Sequence, residues 1–100
     1  MQAHYASEFL REMGCTEAEW RMWLPAALGD CPAVLGPASA EVCIATGRLD
    51  LSWEVLPPLR IALLRMPRLA VQFRFDRGVD EARRYAFMRR FDLYMQRGGG

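Results

Sequence analysis

Residues 40–75 read AEVCIATGRLDLSWEVLPPLRIALLRMPRLAVQFRF, and the recurrence of apolar residues along them decides the fold. Val42 and Ile44 alternate with polar or small neighbours up to Thr46-Gly47. Beyond that turn Leu49, Leu51, Trp53 and Val55 fall on one side, and Asp50, Ser52 and Glu54 on the other. A period of two is the signature of a strand with one face covered and one wet. Two such runs about a Thr-Gly turn make a hairpin. Pro57-Pro58 predicts a further reversal, because neither proline offers an amide proton to a ladder. Leu59 to Leu64 is apolar on both faces, as suits a central strand, and Arg65-Met66-Pro67-Arg68 reads as a third turn. Leu69, Val71, Phe73 and Phe75 then alternate with Ala70, Gln72 and Arg74. The expectation is a four-stranded antiparallel meander.

The flanks turn helical. Tyr5, Phe9, Leu10 and Met13 recur at helical spacing with Gly14 where a C-terminal cap belongs, so a first short helix is expected over Ala3 to Met13. Thr16-Glu17-Ala18-Glu19 matches a capping box and starts a second, with Trp20, Trp23, Leu24, Ala27 and Leu28 on one side. Pro25 is expected to end or kink it near Leu24. Residues 31–39, with Pro32, Gly36 and Pro37, read as an irregular connector. After Arg77-Gly78 a long helix is expected to about Met95, acidic in its first turn at Asp80 and Glu81, where charge complements the helix dipole. Val79, Ala82, Ala86, Phe87, Leu93 and Tyr94 form the face expected to cover the sheet. Helices segregated from an antiparallel sheet define the α+β class. Residues 1–97 are read as one domain and Gly98–Gly100 as a flexible tail.

Composition narrows the chemistry. The 100 residues are 52% hydrophobic and 25% charged, which suits a folded domain. All thirteen basic residues are arginine, and neither lysine nor asparagine occurs. A Schiff-base lysine and an oxyanion-hole asparagine are thereby excluded. Both residues have AT-rich codons, so genome composition explains their joint absence. The net charge of +1 hides an uneven division, with a balance of −5 over residues 1–55 and +6 over residues 56–100. No stretch reaches the ~20 apolar residues of a membrane span, and the N-terminus lacks the pattern of a secretion signal.

Cys15, Cys31 and Cys43 lie too far apart in sequence for the paired ligands of a zinc knuckle, so they are expected to be ordinary buried or half-buried thiols. His4 is the sole histidine and stands near the terminus, a poor place for catalysis. Asp50 and Glu54 share a strand face, where Glu54 is expected to pair with Arg60 across the Pro57-Pro58 turn. Local pairs are expected on the last helix, from Asp80 to Arg83 or Arg84, Glu81 to Arg84, and Arg89 to Asp92. Arg60 and Arg74 are expected to share a sheet face with Gln72. Arg83 and Arg90 fall beside Phe87 and Tyr94 on the supposed packing face, and this group of six is the candidate interface or anion-binding set.

Leu10 to Trp20, with Met13-Gly14 before a capped helix, resembles the turn of a helix-turn-helix unit and the Met-Gly turn of ubiquitin-associated domains. Glu17 and Glu19 would there face phosphates, which repel them. The terminal Gly-Gly is similar to that of ubiquitin-like sulfur carriers, in which a strand rather than an arginine-rich helix leads into the glycines. The expected function is that of a cytoplasmic, non-enzymatic protein without metal or cofactor, acting through protein contacts and self-association. Three Trp, five Phe, three Tyr and six Met motivate it. Nucleic-acid or anionic-ligand binding by the arginine-rich half is the alternative, and no membrane partner is expected.

Overall fold

The computed structural model describes residues 4–97, so the glycine tail and the start of the expected first helix lie outside the described residues. The class is α+β, with a five-stranded antiparallel sheet and two helices. In chain order the elements are β1 (Glu8–Met13), α1 (Glu17–Leu28), β2 (Ala33–Leu35), β3 (Ser39–Ile44), β4 (Gly47–Ile61), β5 (Leu64–Phe75) and α2 (Glu81–Arg97). Across the sheet the order is β1-β5-β4-β3-β2.

Four expectations need correction. The first helix is instead the edge strand β1, pairing Glu8 with Arg74 through to Met13 with Leu69. Its inward residues are Phe9, Arg11 and Met13, and the arginine in the middle hides the period of two. Arg11 turns inward because its guanidinium pairs with Asp92 of α2 and lies 5.7 Å and 5.6 Å from the ring centres of Phe9 and Phe73. The connector holds a three-residue edge strand, β2, paired to β3. Pro25 does not end α1, which continues to Leu28 because Leu24, Ala27 and Leu28 are buried on either side of it. The fourth correction concerns the meander. Pro57-Pro58 do not reverse the chain, and β4 runs through them to Ile61; the turn falls at Ala62-Leu63, inside the stretch expected as a central strand, and Arg65-Met66-Pro67-Arg68 lies within β5 instead of turning.

Both helices cover one face of the sheet. Trp20 of α1 meets Trp53 edge-on at 5.6 Å and Phe91 of α2 at 6.1 Å. Phe91 in turn stands edge-on to Phe73 at 5.6 Å, and Phe87 edge-on to Phe75 at 6.1 Å. Each such pair is worth about 0.5–1.5 kcal/mol beyond the area it buries. The covering face of α2 is therefore Phe87, Met88, Phe91 and Met95, whereas Ala82, Ala86 and Leu93 are exposed. The true face is turned by about 130°, more than a third of a revolution, from the expected one. The expected face left out Met88 and Met95, and the sheet selects them.

Loops are fixed by specific donors. Thr16 Oγ1 accepts the Glu19 amide at 3.1 Å while Glu19 accepts the Thr16 amide at 2.9 Å, the expected capping box. Asp76 accepts the amides of Arg48 at 3.0 Å and Gly78 at 2.9 Å. There the chain passes so close to β4 that a Cβ on Gly78 would lie 2.6 Å from Gly47 Cα. Both main hairpins turn on alanines with positive φ, Ala45 at 53° and Ala62 at 55°.

Candidate functional site

The arginine set is dispersed by the fold. Arg74 lies on the open sheet face, 3.5 Å from Glu8. Arg83 pairs with Asp80 at 3.2 Å as expected. Arg90 donates to the Leu28 carbonyl at 3.0 Å and lies against Gly29, whose φ of +64° and absent Cβ admit the guanidinium. Phe87 is buried and Tyr94 half-buried. Arg83, Phe87 and Arg90 do line one shallow depression of about 250 Å³ with Cys31, Ile44, Ala45 and Ala86. Arg60 stands far from them, on the β4–β5 hairpin.

Several expected pairs are replaced. Arg84 donates instead to the carbonyls of Tyr5 at 3.0 Å and Val79 at 3.1 Å. Glu81 accepts from the exposed His4 at 2.7 Å. Asp92 serves Arg11 and the Tyr5 hydroxyl, the latter at 2.7 Å, rather than Arg89. Burial, then the hydrogen bond to Asp92, hold the Tyr5 phenol above its ordinary value. Burial likewise raises the Cys15 thiol, with the Glu19 charge adding to it. Cys31 is half-buried, but Cys43 points from β3 to the open face and is exposed, contrary to expectation. Asp50 is held by Arg48 at 3.0 Å. Among the described residues no group of three or more His, Cys, Asp or Glu could hold a metal ion.

What the sequence reading missed is the far half of β4 and β5. Beyond Ser52, which pairs with Ser39 of β3, and Leu69, which pairs with Met13 of β1, neither strand has another neighbour in the sheet. Residues 55–68 continue alone as a two-stranded arm to the Ala62-Leu63 turn, and the molecule measures 47 × 29 × 22 Å. Six of the eleven exposed large hydrophobic residues among those described lie on it: Val55, Leu59, Ile61, Leu63, Leu64 and Met66. Leu63 at the apex is fully exposed.

The prolines shape this arm. Leu56 pairs with Arg68 and Leu59 with Met66, so β4 carries one residue more than β5 between those pairs. A bulge of one residue reverses the side to which every later side chain points. Leu59 and Ile61 are thereby turned to the same side as their partners Met66 and Leu64, the side of Ala70, Gln72 and Arg74 on the open face. The other side carries Arg60 directly opposite Arg65, so Arg60 shares no face with Gln72 and cannot meet Glu54 as expected. The root is tied down. Arg68 Nε donates to the Pro57 carbonyl at 2.9 Å and its Nη1 to Glu12 at 3.0 Å. Trp53 Nε1 donates to Glu17 at 2.9 Å, with Arg21 5.7 Å from the Trp53 ring centre.

No helix of the structure, among the described residues, is long and apolar enough to cross a membrane. No family model, curated protein or solved structure matches the chain.

Proposed function

We propose that the protein is a non-catalytic interaction module that self-associates, and that the β4–β5 arm is the element through which it does so. The observation that carries this reading is the row Leu59, Ile61, Leu64 and Met66, cross-strand partners on one uncovered side of the arm. An isolated two-stranded hairpin is marginal in water, and apolar patches of this kind mark contact surfaces. A cytoplasmic setting accords with three free thiols.

The test is the molar mass by light scattering over a concentration series into the high micromolar range. Mass should rise with concentration for the native chain and stay monomeric for Leu64→Asp, whose helical content by circular dichroism should be unchanged. A strictly monomeric native protein, insensitive to salt, would overturn the reading.

One observation favours a second reading, binding of a nucleic acid or other anion. Arg60 faces Arg65 directly, like charges that repel across a ladder, and no acid lies between Glu54 and Asp76. It predicts retardation of oligonucleotides at low salt, lost in Arg60→Ala/Arg65→Ala. No retardation of single- or double-stranded probes would remove it.

A further inference from the structure

The anion of the second reading can be given a size and a seat. Resting on that reading, we propose that the groove at the root of the arm, on the side opposite the apolar row, binds a small phosphate ester. Its phosphate is held between Arg60 and Arg65, and its apolar body lies against Val55, Pro58 and Pro67.

Register sets the side. Along β5, Arg65 and Pro67 share the parity of the buried Leu69, and Val55 of β4 is the cross-strand partner of Leu69, so all three lie on the side that the helices cover further along. At Val55 that cover has gone, since the residue is 60% exposed. A groove of about 360 Å³ remains, lined by Thr16, Val55, Leu56, Pro58, Arg65 and Pro67 among others. Mostly apolar walls with a charged group at one place are the make-up of a small-molecule site, and the volume is near the lower end of such sites, ~300 Å³. One proline ring on each strand stiffens the walls.

Charge selects the head group. Arg60 and Arg65 stand directly opposite each other across the ladder, where Cβ atoms are about 4.5–5.5 Å apart and like charges repel. Neither has an ion pair among the described residues. An oxyanion between the two guanidinium groups turns that repulsion into charge-assisted hydrogen bonds from both sides. A phosphate monoester brings three acceptor oxygens and close to two negative charges, more than a carboxylate offers. Both arginines are exposed and end long flexible stems, which lets them close on one group. Arg68 adds little, because its Nε and Nη1 are already given to the Pro57 carbonyl and Glu12.

Acids limit the length of the ligand. At the groove's other end Thr16 begins α1, and the two carboxylates that follow are held in place there. Glu17 accepts from Trp53 Nε1 at 2.9 Å, and Glu19 from the Thr16 amide at 2.9 Å. A polynucleotide running along the groove would bring further phosphates against them. A single terminal phosphate at the arginines, with an uncharged body toward Val55, meets no such repulsion. The site also leaves Leu59, Ile61, Leu64 and Met66 untouched, because they face the other side of the arm.

The experiment titrates the full isotope-labelled chain at low salt with phenyl phosphate, inorganic phosphate and oligonucleotides of increasing length, and follows backbone amide and arginine side-chain shifts by NMR. Phenyl phosphate is expected to move Thr16, Val55, Leu56, Arg60 and Arg65, and to bind about tenfold or more tightly than inorganic phosphate, the difference being the buried ring. Arg60→Ala and Arg65→Ala should each weaken it by about tenfold. Arg74→Ala, on the open face, should leave it unchanged. Val55→Asp keeps both arginines and should abolish the preference for phenyl phosphate over inorganic phosphate. All four substitutions are at exposed positions, so native helical content by circular dichroism is expected throughout. Equal affinity of the native chain for the two phosphates, or shifts that survive Arg60→Ala/Arg65→Ala, would overturn the proposed seat. Oligonucleotide affinity that rises with length and exceeds that of phenyl phosphate would overturn it too, while leaving the second reading standing. No shift with any of these anions would overturn both.

Discussion

In the body of the sheet Leu49, Leu51 and Leu69 are at most 1% exposed, whereas on the arm of the same two strands Leu59, Leu63 and Leu64 are 43%, 102% and 66% exposed. Composition does not separate the two halves, since both are rich in leucine and both carry regular cross-strand pairs. What separates them is coverage. Over the body, Trp20, Phe87 and Phe91 of the helices close on the strands. Past Trp53 and Leu69 the flanking strands end, while the sequence goes on supplying apolar residues. An alternating strand defines which side chains share a face, and only the neighbouring elements decide whether that face is dry.

The comparison can be broken most directly by truncating one aromatic or aliphatic side chain in each half. Phe73→Ala removes a fully buried ring between Phe9 and Phe91, and a loss of about 3–5 kcal/mol in urea unfolding is expected. Leu63→Ala should change stability by less than about 0.5 kcal/mol. Equal losses would mean that the arm is covered after all.

Ion pairs should show a smaller contrast of the same kind. Asp92 and Arg11 keep only 14% and 23% of their side chains exposed, and Asp92→Ala also orphans the Tyr5 hydroxyl. A cost of about 2–3 kcal/mol is expected, mostly from the half-buried guanidinium left behind. Arg74→Ala, at a pair exposed on both sides, should cost under about 0.5 kcal/mol. If Arg74→Ala proves the costlier, the open face is less wet than its exposure implies.

The smallest effect is in alkaline titration. Tyr5 and Cys15 hold their protons more tightly in the folded protein than in the unfolded chain, with ordinary values of 10.0 and 9.0. Between those values and the raised folded ones the unfolded chain binds fewer protons, so stability falls as pH rises. It should be complete below pH 9 and decline above it, and Tyr5→Phe should flatten the part above pH 10. An undiminished decline in Tyr5→Phe would place the effect elsewhere.

Much of the body was legible in advance. The alternation of Val42, Ile44, Leu49, Leu51 and Trp53, and of Leu69, Val71, Phe73 and Phe75, is strict because each of these residues is buried. The Thr16 box is local chemistry and was read correctly. Strand β1 was misread because Arg11 occupies an inward position, and a charge there is intelligible only once Asp92, 81 positions away, is seen beside it. The candidate site was misread for a related reason. Pro57-Pro58 by themselves predict a reversal, whereas a bulge accommodates them within one strand, and that added residue reverses the sides of Leu59, Arg60 and Ile61. The fold does not gather the arginines into one place, and of them only Arg60 belongs to the arm.

By itself the sequence determined the α+β class, the body hairpin, the capped helix and the chemistry that its missing lysine and asparagine exclude, because these depend on composition and on neighbours a few residues apart. Only the tertiary structure decided that Arg11 faces inward, that the first segment is a strand, and that Leu59 to Met66 stand uncovered at the end of an arm. Those facts depend on which distant surfaces meet, and burial is a property of the meeting and not of the residue.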